Sequence, residues 1–272
     1  GTCLLTTPLS LKGNRTYRGD SRATTLKMAN GVNLPALVAT DGYLANTSYT
    51  GEPVTIRDLT LDGNRGANPS AGSTLVVRSW LTTVENLTVQ NSTGNGILVT
   101  NPSRGGTAIS NSQVNGTIRN VFVTSSGANG IYIEDSGGGV TDWNLLENWI
   151  ADSGQSGIKT QNAAGWVIER NHVYGNGAAG IHANRLFATS ISDNYIEDFV
   201  SNGISVTVQG DAASTIAGNK VFQFKGTGTT FLVVNQVNYG SGQLVVTGNT
   251  VRGKGTGTGL SYQRGSYPLT VT

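Results

Sequence analysis

Two recurring rows of residues limit what this chain can fold into more than any other feature. One row is a Gly-Ile pair that opens a short apolar run: Gly96-Ile97, Gly130-Ile131, Gly157-Ile158, Gly180-Ile181 and Gly203-Ile204, the last three 23 residues apart. The other is an Asn followed by an apolar alternation, at Asn86, Asn120, Asn148, Asn171, Asn194, Asn219 and Asn249. Asn148, Asn171 and Asn194 are again 23 residues apart, and Asp58 in RDLTL holds the same place in an earlier repeat. Self-similarity at roughly 20 to 50 residues marks an architecture of stacked units, none of which can bury its own apolar side chains. The step of 34 from Asn86 to Asn120 reads as a loop inserted into one unit.

Within each unit apolar residues alternate at period two over four to six positions, and no stretch sustains a 3.6 period. The units are therefore short strands. A leucine-rich repeat would need a Leu consensus that is absent, and a propeller a longer period. Stacked at the strand spacing of about 4.8 Å, Ile falls on Ile and Val on Val. The recurrent Asn suits a left-handed turn position and can form an amide ladder from unit to unit. Gly before Ile allows a sharp corner. The 38 glycines fit a chain of short strands and tight turns. The six prolines mark no linker, so residues 1–272 are expected to form a single domain of about eight to ten coils, truncated at one or both ends if the chain is a piece of a longer protein. Gly1 reads as starting inside folded sequence rather than a signal peptide, so a mature product or a cut segment is expected.

The net charge of +2 comes without a basic stripe, which argues against a nucleic-acid partner. No apolar run reaches the length of a membrane span. Cys3 is the only cysteine, so neither an intrachain disulfide nor a cysteine metal site can form. That suits an exported protein that does not depend on disulfides.

The repeat of Gly-Ile strand, turn and ENxV strand resembles the right-handed parallel β-helix of the pectate-lyase-like superfamily. The opening run is similar too: Gly1–Leu11 (GTCLLTTPLSL), then Gly13–Gly19 (GNRTYRG), then Thr24–Lys27. The resemblance implies an all-β, single-stranded right-handed solenoid. It also implies one of several activities: polysaccharide lyase, uronan C5-epimerase, glycoside hydrolase, or a phage tailspike that binds glycans. Each implies a secreted, extracellular or virion-associated protein with a polysaccharide partner. The protein would be a monomer, or a homotrimer if tailspike-like. Calcium serves some members, and Glu134 with Asp135 could contribute ligands; no other metal cluster stands out.

If the Ile of each Gly-Ile pair points inward, alternation sets two outward columns. The first is Val76, Leu98, Tyr132, Lys159, His182 and Ser205. The second is Arg78, Thr100, Glu134, Gln161, Asn184 and Thr207, with Asn101, Asp135, Asn162 and Arg185 just beyond the strand ends. The middle coils thus gather ionisable side chains on one face. Polyuronate lyases and epimerases both abstract the C5 proton beside a sugar carboxylate. They need a group that neutralises the carboxylate, a base, and an acid for the leaving oxygen. Tyr132, Lys159, His182 and Arg185 supply the catalytic types. Arg78, Glu134, Asp135, Gln161 and Asn184 are expected to contact substrate.

The DPHE-type motif of the bacterial alginate epimerases is absent, the nearest strand reading GIYIED, so β-elimination ranks above epimerisation. Hydrolysis needs two spaced carboxyl groups. Glu134 and Asp135 are adjacent, so a hydrolase ranks after a lyase. A module that only binds glycans is the alternative outside the enzymes. In the plainer reading of the same face, Lys159 and Glu134 form a solvated cross-coil pair worth under about 1 kcal/mol. His172 faces outward on another strand with no acidic neighbour evident. Trp149 and Trp166 read as structural, while Trp80 and Trp143 are either sugar platforms or corner caps. Gly175–Gly180 fits G-x-G-x-x-G but is followed by a strand, and Gly253–Gly259 lacks a P-loop ending.

Overall fold

The computed structural model describes residues 1–225, 230–235, 239–253, 257–263 and 265–266, with the backbone of 269–271. The Gly/Thr run 253–259 and the final segment 267–272 lie partly outside the described residues.

Among the described residues, three parallel sheets of ten strands each build a right-handed parallel β-helix of ten coils, at the upper end of the expected count, with a further two-stranded pair at Gln113–Val114 and Val140–Thr141. Sheet I collects the strands that open at the Gly-Ile pairs, among them Ile97–Thr100, Ile131–Glu134, Ile158–Gln161 and Ile181–Leu186. Sheet II includes Thr117–Arg119, Asn144–Leu146 and Val167–Glu169. Sheet III includes Phe122–Thr124, Trp149–Ala151, His172–Asn176 and Tyr195–Phe199. The chain runs from sheet I to II to III and re-enters sheet I one coil further on.

The expected register of sheet I holds. Leu75, Ile97, Ile131, Ile158, Ile181 and Ile204 form one paired column, and each is fully buried. Every such side chain contributes roughly 1.5–3 kcal/mol relative to exposure. The glycines before them are needed for a different reason from the one expected. Gly157 and Gly180 are not among the residues with positive φ. A Cβ at Gly157 would collide with the Val173 side chain, and one at Gly180 with Ile196, both in the following coil. The row is selected by close stacking of coils.

The Asn row divides into two adjacent columns. Phe122 pairs with Trp149, so the step between these coils is 27 residues, not the 28 that separates Asn120 from Asn148. Asp58, Asn86 and Asn120 occupy the left-handed corner at φ 58°, 52° and 49°. In later coils that corner belongs to Glu147, Arg170 and Asp193, then Gly218 and Gly248. Asn148 and its successors sit one position on and turn inward. Asn148 Nδ2 donates to Asn171 Oδ1 at 3.0 Å, Asn171 to Asn194 at 3.0 Å, and Asn194 to Asn219 at 2.9 Å. Both roles expected of Asn exist: the inward column forms the amide ladder, and the left-handed column adds coil-to-coil bonds of its own, from Asn86 Nδ2 to Asp58 and from Asn120 Nδ2 to Asn86 at 3.5 Å.

Trp143 and Trp166 are buried and stacked at 5.7 Å, with their Nε1 groups donating to the carbonyls of Gln113 and Val140. They fill the corner between sheets I and II. Trp166 is structural, as expected.

Candidate functional site

The outward column of sheet I is in register. Val76 pairs with Leu98, then Tyr132, Lys159, His182 and Ser205 follow at one-coil steps. Glu134 and Gln161 pair in the neighbouring column. The helical turn Asp41–Leu44 closes one end of this face, where Tyr43 and Leu44 pack with Leu98 on a small cluster of Ala36, Ala39 and Val76. The ledge begins at Leu98 and runs toward Ser205, about three coils of reactive side chains or roughly 10 to 15 Å.

Tyr132, Lys159 and His182 are each half-buried in this ledge. The Tyr132 hydroxyl donates to Gln161 Oε1. Lys159 Nζ lies 5.2 Å from the Tyr132 ring centroid. It makes no ion pair among the described residues, so the expected pairing with Glu134 does not form. Glu134 instead accepts from Thr100 Oγ1 at 2.9 Å and from the Ser136 N–H at 3.1 Å. Burial, and then the Lys159 ammonium, hold the His182 pKa below its ordinary value. Burial, and then the Glu134 carboxylate, hold Tyr132 above its own. At neutral pH the face therefore offers a neutral imidazole, able to accept a proton, and a protonated phenol, able to give one.

Arg185 stands at the rim. Its Nη1 donates to the Asn162 carbonyl at 3.0 Å, Nη2 donates to the Tyr239 hydroxyl at 3.4 Å, and the guanidinium lies 5.1 Å from the Phe187 ring centroid. Among the described residues no carboxylate pairs with it, and its buried Nε has no partner. Asn184 accepts from the Asn162 N–H at 2.8 Å. Tyr239 was not anticipated, because it arrives from a later coil.

Two expected substrate contacts are not available. Arg78 is fully buried. Its guanidinium donates to the carbonyls of Asn101, Gly42, Tyr49 and Thr107 at 2.7 to 3.1 Å. Residues 41–50 and 101–107 fold over the strand end, and no strand-level alternation could reveal that cover. Asp135 is buried as well, accepting from the Gly139 and Val140 N–H groups at 2.9 and 3.0 Å and from Asn101 Nδ2 at 3.4 Å. With both of its carboxylate oxygens engaged this way, Glu134 and Asp135 do not form an open calcium pair. Among the described residues no group of three His, Cys, Asp or Glu side chains converges as a metal site.

A second feature lies on sheet III, away from the ledge. Phe122, Trp149, His172 and Tyr195 align at one-coil steps. Trp149, expected to be structural, is 48% exposed. It stacks on His172 at 4.8 Å, and His172 meets Tyr195 edge-on at 4.6 Å. Glu197 is close enough to oppose the burial that lowers the His172 pKa, so the acidic neighbour missing from the sequence reading exists. The signal was present: in ENW, RNH and DNY an aromatic residue or His follows each ladder Asn. Phe122 was hidden by the one-residue offset of the merged Asn row.

No curated protein matches the sequence. Several solved structures match in shape. The A-module of the mannuronan C-5 epimerase AlgE4 of Azotobacter vinelandii aligns with all of this chain and 91% of its own, at TM-score 0.58 and 17% identity. Tailspike protein 2 of an Escherichia coli O157:H7 bacteriophage aligns over 97% of this chain and 38% of its own, at TM-score 0.55 and 14% identity. An alginate lyase from a Paenibacillus species aligns over 97% of this chain and 100% of its own, at TM-score 0.50 and 14% identity. Identities this low establish shared architecture alone. The family model described as right handed beta helix region matches residues 43–251, most of the chain, and the chain belongs to that family.

Proposed function

We propose that the protein cleaves an acidic polysaccharide, a polyuronate, by β-elimination on the exposed face of sheet I. The observation that carries this reading is the in-register column Tyr132–Lys159–His182, flanked by Arg185. Arg185, which has no carboxylate partner among the described residues, would neutralise the sugar carboxylate, and Lys159 would add a second positive charge. Neutralisation acidifies the C5 proton. Neutral His182 takes that proton, the C4–C5 double bond forms, the C4–O bond breaks, and the departing oxygen takes a proton from Tyr132. Gln161 and Asn184 border the same ledge and offer hydrogen bonds to sugar hydroxyls, as does Glu134. The presence of an epimerase and an alginate lyase among the structures of similar shape agrees with this chemistry. Such polymers are met outside cells, so the reading includes an extracellular or virion-borne protein.

The test is incubation with a panel of polyuronates while the ultraviolet absorbance of the unsaturated product is followed. Absorbance that rises with the parent protein and is lost in His182→Ala and Lys159→Ala supports elimination. New reducing ends without that absorbance would show hydrolysis. Binding without either product would identify a glycan-binding module, and the mass in solution would then decide between monomer and trimer.

A further inference from the structure

The corner between sheets II and III carries a cleft of about 470 Å³ on a different side of the coil from the ledge, lined by Arg22, Phe122, Glu147, Trp149, Arg170 and His172. Arg22 reaches it from the corner loop of an early coil, donating from Nη2 to the Asn120 carbonyl at 2.6 Å and from Nε to the Asn86 carbonyl at 3.4 Å. These carbonyls fix the guanidinium without neutralising it, and no carboxylate pairs with Arg22 among the described residues. Arg170, by contrast, is shared between Glu147 and Glu169. Trp149 presents nearly half its surface, and the Nε2 of His172 is shut off from solvent with no partner among the described residues.

We propose that this cleft is a second saccharide-binding site, taking an acidic sugar unit with its ring on Trp149 and its carboxylate on Arg22. A volume of this size is in the range of small-ligand pockets, whose walls are mostly apolar with a few placed polar groups. A pyranose has an apolar C–H face and a polar rim, and this cleft has an apolar ring with polar groups around it. A guanidinium that no carboxylate among the described residues neutralises selects an anionic unit over a neutral one. His172 and Tyr195 continue the aromatic row at one-coil steps, so the site can extend beyond a single unit. Polymer held here would be retained near the ledge between turnovers. The proposal rests on the reading of the ligand as an acidic polysaccharide, but not on its cleavage.

The experiment measures binding of short oligosaccharides of alginate and of polygalacturonate, with a maltooligosaccharide as the neutral counterpart, to protein carrying His182→Ala. Calorimetry and tryptophan fluorescence report binding, and Trp149→Ala and Arg22→Gln are compared in that background after thermal unfolding confirms that each is folded. The expected result is quenching by the acidic oligosaccharides. Trp149→Ala should weaken their affinity about tenfold, with Trp149→Phe restoring part of it. Arg22→Gln should remove the preference for acidic over neutral sugar together with its salt dependence. Acidic binding that neither variant alters would overturn the site while leaving the polyuronate reading in place. Loss on Trp149→Ala, with no elimination product from the parent protein, would overturn the lyase and uphold the site. Absence of any acidic binding would overturn both.

Discussion

Lys159 lies over the ring of Tyr132, with Nζ 5.2 Å from its centroid, and pairs through its strand with His182 in the next coil. An ammonium so near an imidazole, with no partner carboxylate among the described residues, disfavours the imidazolium. Removing it in Lys159→Ala should raise the His182 pKa toward its ordinary 6.5. The chain has only two histidines, so an NMR titration of the ring protons, with His172 as internal reference, reads the shift directly. A fall in the His182 pKa, or none, would sink the claim that the two charges communicate.

The same pair sets a pH dependence of activity. If neutral His182 is the base, kcat/KM falls as pH drops through its lowered pKa. In Lys159→Ala the acid limb should move to higher pH, on top of the loss of rate. His182→Ala should cost at least about a hundredfold at the plateau, the usual scale for a positioned base. A rate profile whose acid limb ignores Lys159→Ala would assign the base elsewhere.

Stability should follow pH as well. Both His172 and His182 titrate below their ordinary value, chiefly through burial. A depressed folded pKa means that the unfolded chain takes up protons first as the pH falls. The contribution is therefore intact above about 6.5 and is lost as the pH drops from there through the folded values. Urea midpoints at pH 7.5 and pH 5 should differ in that direction, and the double variant His172→Gln/His182→Gln should narrow the gap. Carboxylates add their own loss at lower pH, so the comparison belongs above about pH 5.

The two columns once merged in the Asn row make separate predictions. Asn171 is buried; it accepts from the Asn148 N–H and Nδ2, and donates to Leu145 and Asn194. Asn171→Ala strands several of these buried groups and should cost about 3 kcal/mol. Asn120 is exposed at φ 49°, and Asn120→Ala loses mainly tolerance of the left-handed region, about 1 kcal/mol. Equal midpoints for the two variants in urea would contradict the division.

What could be read from the sequence was whatever repeats. The Gly-Ile register placed Tyr132, Lys159 and His182 in one outward column because a strand's alternation is fixed by its backbone. It failed at Arg78 and Asp135 because their cover comes from inserted loops, which obey no period. It also failed at the Asn row, where one skipped residue between Asn120 and Asn148 exchanges a corner position for an inward one. Tyr239 beside Arg185 was illegible for a related reason, since it reaches the rim from more than a coil away.

Arg78 gives the sharpest separation between a substrate contact and a structural one. The guanidinium holds four carbonyls from two cover segments, and its burial lowers its pKa. Arg78→Met would leave those carbonyls facing an apolar chain, and should destabilise the protein by about 3 kcal/mol, the upper range for stranding buried acceptors that a charged donor had satisfied. Arg78→Lys should recover only part of this, because an ammonium cannot span the geometry of the planar fork. Limited proteolysis should cut Arg78→Met first within residues 41–50 and 101–107, while the strands beneath stay intact. A protein in which Arg78 touched sugar would behave in the opposite way, with an unchanged urea midpoint, an unchanged cleavage pattern and a weakened KM.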